Sequence, residues 1–523
     1  GLVEEKIKQW EGGVVGFAVS GYFSVRNPEH ENEVREIVED NTDKPVVAGH
    51  KLSPELGFYE RAVTAILNVK VIPIINSFLD SAEDALRERG IDAPLAMMKS
   101  DGSLASSEEI REKPIETVFS GPAASVVGAR WLSGRDDGVV VDIGGTTADI
   151  GILRDGLPSL DEGGVQVGGW RTKVQSLDLR TVGLGGDSRI TLDEEGNPEF
   201  GPRTAKPLAF ADLTEEDVGK IEVYEDTSFL KKRGEIEEGK LEQLGDSARE
   251  FYDLIGNGIV NKREVMDRAR EGGLIRNRYY LRRLERLGLV RRVGLTPTDL
   301  LHVIGEYTVG SREAPSLGTE VLSSSTGREK GEFAYRVKAE FEKNIAVEII
   351  KRFVLDEYPD CEFGHSKIWR YCKDGGGMGL SVDFELDLPL IGIGAPAGVF
   401  LPGVTSRLGG DFVEVENYRV GNAVGTVTGR VTRRIEATLV ENHETEEFFL
   451  FLPNERKVID DQDEGVVLEK AKGYARKSAM RKVREAGGEG VRASVEAGDL
   501  QHGRTTLKVV AIGNPELGQT DKN

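Results

Sequence analysis

The feature that most constrains this chain is a pair of β-branched runs joined by a glycine-rich turn, GVVVDIGGTTADIGILRDG, at residues 138–156. Valine and isoleucine favour extended strands, and a Gly-Gly pair favours a tight turn between them. The stretch therefore predicts a β-hairpin. Strand-like and helix-like patterns alternate in the segments before it and again from about residue 333 to 430, which predicts an α/β fold.

The turn of this hairpin carries groups suited to a phosphate and its cation. Because glycine has no Cβ, its backbone amide can approach an anion closely, and threonine hydroxyls add further donors. Aspartates at either end of the turn can hold Mg²⁺ directly or through water, or orient an attacking water. The residues expected to act here are Asp142, Gly144, Gly145, Thr146, Thr147 and Asp149. The alternative is a plain hairpin whose turn is only structural.

Composition and charge restrict the classes of partner. The chain of 523 residues has 90 acidic and 68 basic residues, a net charge of -22. Such a surface repels nucleic acid and anionic lipid, so we expect neither as a partner. We find no run of about 18 apolar residues and therefore expect no membrane span. Cys361 and Cys372 are interpreted as free thiols, which predicts a reducing, cytoplasmic location.

Several ordered segments resemble a known family. DIGGTTADI resembles the second phosphate motif of the actin, sugar-kinase and heat-shock ATPase superfamily. SGYFSVRNPEHENEV, LGFYERAVTAILN, MMKSDGSLAS, VFSGPAASVVGA, TVGLGGDS and GLTPTDLLH resemble the hydantoinase A/5-oxoprolinase branch of that superfamily. The resemblance implies an actin-like, ribonuclease H-like fold of two lobes, with ATP and Mg²⁺ in the cleft between them.

The resemblance also implies roles outside the turn. The further cofactor-binding residues are Gly185, Gly186 and Ser188 in a second glycine loop, and Gly392, Gly394 and Ala395 in an adenosine loop. The catalytic candidates are Asp142 and Asp149, which are also the Mg²⁺ ligands, with Asp101 as a weaker choice for a substrate or acid–base role. The structural alternatives are a turn that feeds a strand, a strand end stopped by proline, and a solvated turn aspartate.

Asp299 and His302 form a weaker candidate metal site. On a helix that starts near Pro297 the two side chains would face one way, at positions i and i+3. Two ligands are a weak signal for a metal. Capping of the helix by Thr298 or Asp299 explains much of the same pattern.

Residues 262–294 predict helix, turn, helix and then a strand or wing, which resembles a winged helix. The second helix is rich in arginine, which raises the possibility of DNA binding. The net charge of -22 and the position inside an enzyme-like chain favour instead a contact between lobes or with a partner protein.

Domain boundaries follow from these patterns. The predicted segments are 1–135, the remainder of a first actin-like lobe; 136–210, the start of a second lobe with the phosphate motif; 211–330, a charged, helical, winged-helix-like insert; 331–430, the rest of the second lobe with the adenosine loop; and 431–523, a small α+β module. Residues 1–30 lack the first Asp-x-Gly-Gly-Thr motif with which the family opens, so that motif is expected on another chain or outside this sequence.

The function implied by the resemblance is ATP-dependent hydrolysis of a cyclic amide of the hydantoin or 5-oxoproline type, through phosphorylation of an amide oxygen. Two alternatives stay open: the ATP-using subunit of a ketone carboxylase, and a non-catalytic actin-like nucleotide-binding protein. The expected partners are a small cyclic amide or related carbonyl compound and either a partner subunit or a second copy of this chain.

Overall fold

The computed structural model describes residues 1–161, 163–234, 239–358, 367–377, 379–442, 447–453, 455–461, 463–498 and 503–515. The helices are α1 (Leu2–Trp10), α2 (Glu29–Asn41), α3 (Gly49–Leu52), α4 (Phe58–Glu88), α5 (Ser107–Glu112), α6 (Ser120–Ser133), α7 (Glu215–Tyr224), α8 (Asp246–Asp253), α9 (Lys262–Glu271), α10 (Asn277–Arg286), α11 (Pro297–Val303), α12 (Glu313–Thr326), α13 (Lys330–Glu357), α14 (Lys367–Lys373), α15 (Ala397–Leu408), α16 (Gly421–Thr428) and α17 (Glu464–Glu485).

The strands complete the secondary structure. They are β1 (Phe17–Val19), β2 (Val46–Ala48), β3 (Ala96–Met98), β4 (Leu104–Ser106), β5 (Gly138–Ile143), β6 (Ala148–Arg154), β7 (Leu157–Pro158), β8 (Gln166–Val167), β9 (Trp170–Arg171), β10 (Arg180–Val182), β11 (Ser188–Leu192), β12 (Pro198–Thr204), β13 (Lys206–Pro207), β14 (Ser228–Lys232), β15 (Ile259–Asn261), β16 (Val290–Gly294), β17 (Gly376–Gly377), β18 (Leu380–Ser381), β19 (Leu390–Ile393), β20 (Phe412–Val413), β21 (Val431–Asn442), β22 (Glu447–Leu452), β23 (Glu455–Ile459), β24 (Gly488–Ala497) and β25 (Arg504–Pro515).

The chain forms two compact units, each built from separate stretches of sequence. The first comprises residues 1–136, 151–179 and 420–523, and the second comprises 137–150 and 180–419. These units cut across the predicted segments. The C-terminal module is part of the first unit, and residues 420–430, which were predicted in the second lobe, also belong to the first unit.

A five-stranded sheet forms the main core of the first unit. Its order is β23-β22-β21-β25-β24, and every neighbouring pair is antiparallel. Alternate residues of β21, such as Ile435, Ala437 and Leu439, are buried on one face, as the two-residue period of a strand requires. Helix α17 buries Val467, Ala471, Ala475, Ala479 and Val483, which are four residues apart and so lie along one stripe against this core.

Glycine explains why residues 420–430 belong to the first unit. A Cβ on Gly128 of α6 would lie 1.9 Å from the Gly421 carbonyl oxygen, and one on Gly425 of α16 would lie 1.8 Å from the Ala124 oxygen. The two helices therefore touch through their backbones, which only glycine permits. Asn422 Nδ2 also donates to the Gly121 carbonyl at 2.7 Å.

The second unit contains the sheet that positions the predicted turn. Its order is β10-β6-β5-β19-β20, with β7 paired to β6. Strand β19 runs parallel to β5 and to β20, and β10 runs antiparallel to β6. Buried apolar residues of α13 and α15 pack with the buried valines and isoleucines of β5. Helices on an apolar sheet give the mixed α/β architecture that the sequence predicts.

A second sheet of this unit has the order β13-β16-β14-β15 and packs with helices α7 to α12. Strand β13 is parallel to β16, whereas β14 is antiparallel to both β16 and β15. This sheet carries the segment that the sequence predicts to be a charged, helical insert.

One helix differs from the composition-based expectation. Helix α4 is long and apolar enough, by length and composition alone, to cross a membrane, although no such segment was expected. Its buried residues include Arg61, Thr64 and Asn68, and 28% of its most apolar stretch is buried. Of the two cysteines, Cys372 is a free thiol and Cys361 lies outside the described residues.

Candidate functional site

The turn between β5 and β6 is tight and solvent-facing. The Gly144 amide donates to the Thr147 carbonyl at 2.9 Å, which closes the turn on itself. Gly145 and Thr146 at its tip are exposed, and Gly144 and Thr147 are half-buried. The predicted hairpin is therefore present, with its two tip residues accessible to a ligand.

The direction of the turn amides follows from backbone geometry. The carbonyls of Gly144 and Gly145 accept from Gly186 N at 2.9 Å and Asp187 N at 2.7 Å. In a trans peptide the carbonyl and the next amide point to opposite sides, so the amides of Gly145 and Thr146 point away from residues 186–187. Neither amide donates to another described residue. Two adjacent, accessible and unused amides form a concavity suited to an anion.

The second glycine loop, residues 183–188, supports the turn from behind. A Cβ on Gly185 would lie 2.3 Å from the Gly145 carbonyl oxygen, and one on Gly186 would lie 2.7 Å from the Thr298 hydroxyl. Both glycines are buried, and so is Ser188, whose Oγ accepts from the Gly185 amide at 3.0 Å. These three residues therefore shape and hold the turn, and their contact with a cofactor stays a prediction.

The third predicted loop meets the same turn because two parallel strands end together. Ile393 of β19 lies beside Asp142 of β5, so the two strands end at the same edge of the sheet. At Gly394 the backbone adopts φ +92°, and a Cβ there would lie 2.3 Å from the Ile143 carbonyl oxygen, so this position requires glycine. Ligands of α/β sheets bind at such carboxyl ends of strands.

The accessible part of this third loop is smaller than expected. Ala395 is exposed and Gly394 is half-buried, so both can face a ligand. Gly392 is buried, and a Cβ there would lie 2.7 Å from a methyl carbon of Leu401. Its predicted cofactor contact is therefore corrected to a packing role within the core.

Two carboxylates flank the turn as predicted, and both are half-buried. Asp149 Oδ1 accepts from the Thr181 hydroxyl at 2.6 Å. Burial raises the pKa of Asp149, and the negative charge of Asp142 raises it further, whereas the Thr181 hydrogen bond opposes the shift. A cation between these carboxylates would relieve both effects. The pair is thus suited to hold Mg²⁺ together with phosphate and water oxygens.

Two charged groups beyond the expected site residues lie at the turn. A Cβ on Gly145 would lie 2.7 Å from a carboxylate oxygen of Asp187, which places this side chain directly beside the turn. Burial raises the pKa of Asp187, and the Lys206 ammonium opposes this shift. Asp187 belongs to the second glycine loop in the sequence, whereas only the fold brings Lys206 to it.

The polar groups of Asp299 and His302, the weak metal candidates, are engaged by the backbone. Asp299 is completely buried, and its oxygens accept from the amides of Leu208 at 3.1 Å, Ala209 at 2.8 Å and Thr296 at 3.0 Å. Burial raises its pKa to about 6, against these donors. Both ring nitrogens of His302 lie within 2.9 Å of a backbone carbonyl. No group of three or more metal-binding side chains occurs among the described residues.

The role of Asp299 is to cap and anchor. The N-cap of α11 is Thr296, and its side chain and that of Asp299 exchange hydrogen bonds with each other's backbone amide in a capping box. Thr298 follows, and its hydroxyl donates to the Gly186 carbonyl at 2.8 Å. This region therefore caps a helix, as the alternative predicts, but the N-cap is Thr296, two residues before Thr298.

Asp101 also has a structural environment, in the first unit. Its Oδ1 accepts from the Ser103 amide at 3.0 Å and the Ser103 hydroxyl at 2.6 Å, and Arg434 lies 4.0 Å from its other oxygen. Burial alone would raise the pKa of Asp101, but Lys99 and Arg434 make the net shift downward. A carboxylate held ionised in a buried charge network does not support the weaker acid–base assignment.

Comparison with known proteins finds relatives of this chain. Residues 61–208, which include the turn and the second glycine loop, match the profile of the hydantoinase/oxoprolinase family. Caprolactamase subunit alpha of Pseudomonas jessenii is 30% identical over 196 residues, which is 37% of this chain and 28% of that protein. The matched segment thus spans well under half the length of this relative.

Solved structures resemble the whole described fold. The crystal structure of ATP-dependent caprolactamase from Pseudomonas jessenii matches with a TM-score of 0.60 and 17% identity, over 98% of this chain and 66% of that one. Nucleotide-free acetone carboxylase matches with a TM-score of 0.55 and 14% identity, over 100% of this chain and 68% of that one. At these identities the likeness establishes a shared mixed α/β fold. Together, the profile match and the related sequence place residues 61–208 of this chain in the hydantoinase/oxoprolinase family.

Proposed function

We propose that this chain binds ATP at the turn between β5 and β6 and uses it to open a cyclic amide. The observation that carries the proposal is the pair of accessible, unused amides at Gly145 and Thr146. Glycines at 185 and 394 let three backbone segments approach one another closely there. Buried loops behind the turn fix the two amides in place, so that little ordering is needed when an anion binds.

The remaining groups of the turn have matching chemistry. The hydroxyls of Thr146 and Thr147 would donate to phosphate oxygens, and Asp142 and Asp149 would hold Mg²⁺. Gly394 and Ala395 leave space for the adenosine part of the nucleotide beside the same edge of the sheet. When bound, ATP supplies the phosphoryl group that activates the substrate oxygen. The contribution of the chain is to position that group and to neutralise charge on it.

Cyclic amides are the proposed substrates for two reasons. The family whose profile matches residues 61–208 is named after hydantoinase and oxoprolinase. A protein of the same fold is an ATP-dependent caprolactamase. An amide carbonyl is a poor electrophile, and phosphorylation of its oxygen would make ring opening by water feasible. We further propose that the fold is the actin-like, ribonuclease H-like one, that the chain acts in the cytoplasm, and that a partner subunit completes the enzyme, as the name caprolactamase subunit alpha suggests.

A ketone carboxylase is the second candidate, favoured by the likeness to acetone carboxylase. In that reaction ATP would activate an enol oxygen instead of an amide oxygen. The two candidates differ in their substrates: only the carboxylase would hydrolyse ATP in response to a ketone with bicarbonate. A non-catalytic nucleotide-binding protein would bind ATP and respond to neither.

Nucleotide binding is the first test. Isothermal titration of ATP with and without Mg²⁺ should show binding that requires the cation and that is lost in Asp142→Ala. Asp253→Ala, on the exposed face of α8, is the matched control and should bind like the wild type. Absence of binding by the wild-type chain, alone and with its partner subunit, would refute the proposal. Phosphate release with hydantoin, 5-oxoproline and caprolactam, or with ketone and bicarbonate, then separates the candidates.

A further inference from the structure

Residues 228–234 and 239–294 of the second unit have the arrangement of a winged helix. Helix α8 is followed by β15, then by α9 and α10, and then by β16. Strand β14 lies between β15 and β16 and is antiparallel to both, so it occupies the place of a wing strand although it precedes the first helix in the chain. One apolar core joins the three helices and the sheet, with Leu230, Phe251, Val265, Leu284 and Val290 among its buried members.

Helices α9 and α10 form the helix-turn-helix of this segment. They are joined by residues 272–276, where Gly273 adopts φ +80° and so permits the sharp turn. Asn261 caps the first helix by accepting from the amides of Arg263 and Glu264. Helix α10 packs through Leu281 and Leu284. In such motifs the second helix is the one that enters the major groove of DNA.

The outer face of α10 is cationic and unpaired. Arg278, Arg282 and Arg286 are exposed and spaced four residues apart, so they form a single stripe about 12 Å long. None has a hydrogen bond or ion pair to another described residue, whereas arginines elsewhere in the segment, such as Arg268 and Arg292, are paired with glutamates. Exposed Tyr279 lies on the same helix.

The local charge is opposite to that of the chain. Residues 262–294 have eleven Lys and Arg and four Asp and Glu, a net charge of +7, in a chain with a net charge of -22. The sequence argument against nucleic acid used the total charge. Salt screens charges beyond about 10 Å, so a bound polyanion responds mainly to the charges of this segment.

We propose that α10 is a recognition helix that binds duplex DNA in the major groove. The guanidinium stripe would contact phosphates and the edges of bases, with Arg276 at the helix start adding a further contact. An acidic protein surface is the alternative occupant. The repeat of three unpaired guanidiniums, one helical turn apart, on the helix that the motif reserves for the groove favours DNA, whose charges also repeat regularly.

The test is fluorescence anisotropy of the full chain with a labelled duplex of about two helical turns, over about 50 to 200 mM salt. Replacing Arg278, Arg282 and Arg286 together by serine should reduce the slope of log K against log salt by about three. Each lost phosphate contact is worth about eightfold at 0.1 M salt, so affinity should fall by about 500-fold.

Two further variants separate this role from general charge effects. The triple Arg→Lys variant at the same positions should keep most of the salt-dependent binding, because it keeps the charges. Serine at Arg476, Lys477 and Arg481 of α17 removes the same charge from a different surface and should leave DNA affinity unchanged. Circular dichroism and ATP titration should be the same for all variants, which shows that they fold and that the turn is unaffected.

Three results would overturn the proposal. They are no duplex binding by the wild type at about 50 mM salt, equal binding by the serine variant of α10, and displacement of the duplex by polyglutamate at equal charge concentration. The last result would assign the stripe to an acidic protein partner. Failure of ATP binding would leave this inference standing, since no residue of α10 belongs to the turn.

Discussion

The substitution Gly185→Ala offers the sharpest test of the proposed site, because it displaces the turn without removing any group proposed to bind ATP. The new Cβ would lie 2.3 Å from the Gly145 carbonyl oxygen, and contacts under 3.0 Å are essentially never seen for a real Cβ. Backbone must therefore move by at least 0.7 Å, the difference between these two distances. The atoms that must move belong to the tip of the turn.

The energetic cost can be worked from the same contacts. Overpacking of this kind typically costs about 1–3 kcal/mol. The shift would also strain two backbone hydrogen bonds, Gly186 N to Gly144 O and Asp187 N to Gly145 O, each worth about 1 kcal/mol. We expect the free energy of unfolding to fall by about 2–4 kcal/mol. Displacement of one charge-assisted amide–phosphate bond should raise the ATP dissociation constant about 10- to 100-fold.

Urea unfolding and ATP titration would measure these two effects, and Gly183→Ala is the control. Gly183 lies in the same loop, is exposed, and has nothing within 4 Å of the position of an added Cβ. It should match the wild type in both assays. If Gly185→Ala unfolds like the wild type, the close contact is wrong. If it is destabilised but binds ATP with unchanged affinity in the folded state, the turn is not the phosphate site.

Three other predictions concern single aspartates. Affinity for Mg²⁺·ATP should fall as the pH drops through the raised pKa of Asp149, because the protonated carboxyl loses its attraction for the cation. In Asp149→Asn this pH dependence should disappear. If calorimetry gives the same dependence of affinity on pH for this variant and the wild type, the reasoning is contradicted. Asp299→Ala removes the acceptor of three buried amides and should lower the unfolding free energy by about 3 kcal/mol or more. If Asp299 binds no metal, neither Zn²⁺ nor a chelator should change the Tm of the wild type. Asp101→Asn leaves buried Arg434 without its counter-charge, whereas Lys99 keeps Glu116 at 2.7 Å, and it should cost about 3 kcal/mol in urea unfolding with an unchanged ATP dissociation constant. A weaker ATP affinity would restore a role at the site.

The candidate site could be predicted where its chemistry is local in sequence. The strands, the glycine turn, the threonines and the two flanking aspartates lie within residues 138–154, and the structure contains this hairpin with an accessible tip. The alternation of strands and helices from about residue 333 to 430 was also predicted, and it contains the long helix α13 (Lys330–Glu357), because long runs with helical periodicity carry the strongest sequence signal.

The remaining features depend on contacts between distant residues. Sequence alone shows that Gly185, Gly186 and Gly392 are glycines, but whether a glycine faces a ligand or a neighbouring backbone depends on packing. The sequence around Asp299 is compatible with a metal ligand or a helix cap. The hydrogen bonds that it accepts from the distant amides of residues 208 and 209 are visible only in the fold. The grouping of residues 420–430 with the first unit rests on the close packing of α16 against α6, nearly 300 residues earlier in the chain, which no local pattern reveals.

The discontinuous construction of the first unit has a consequence for synthesis. Its sheet contains β25, which ends at Pro515, whereas every residue of the second unit has been made once Arg419 emerges. During translation the first unit must wait, with part of its apolar surface uncovered, until the final strands leave the ribosome. Expression of residues 1–419 should therefore leave the first unit incomplete and prone to aggregate. Co-expression of 420–523 as a separate polypeptide should restore solubility.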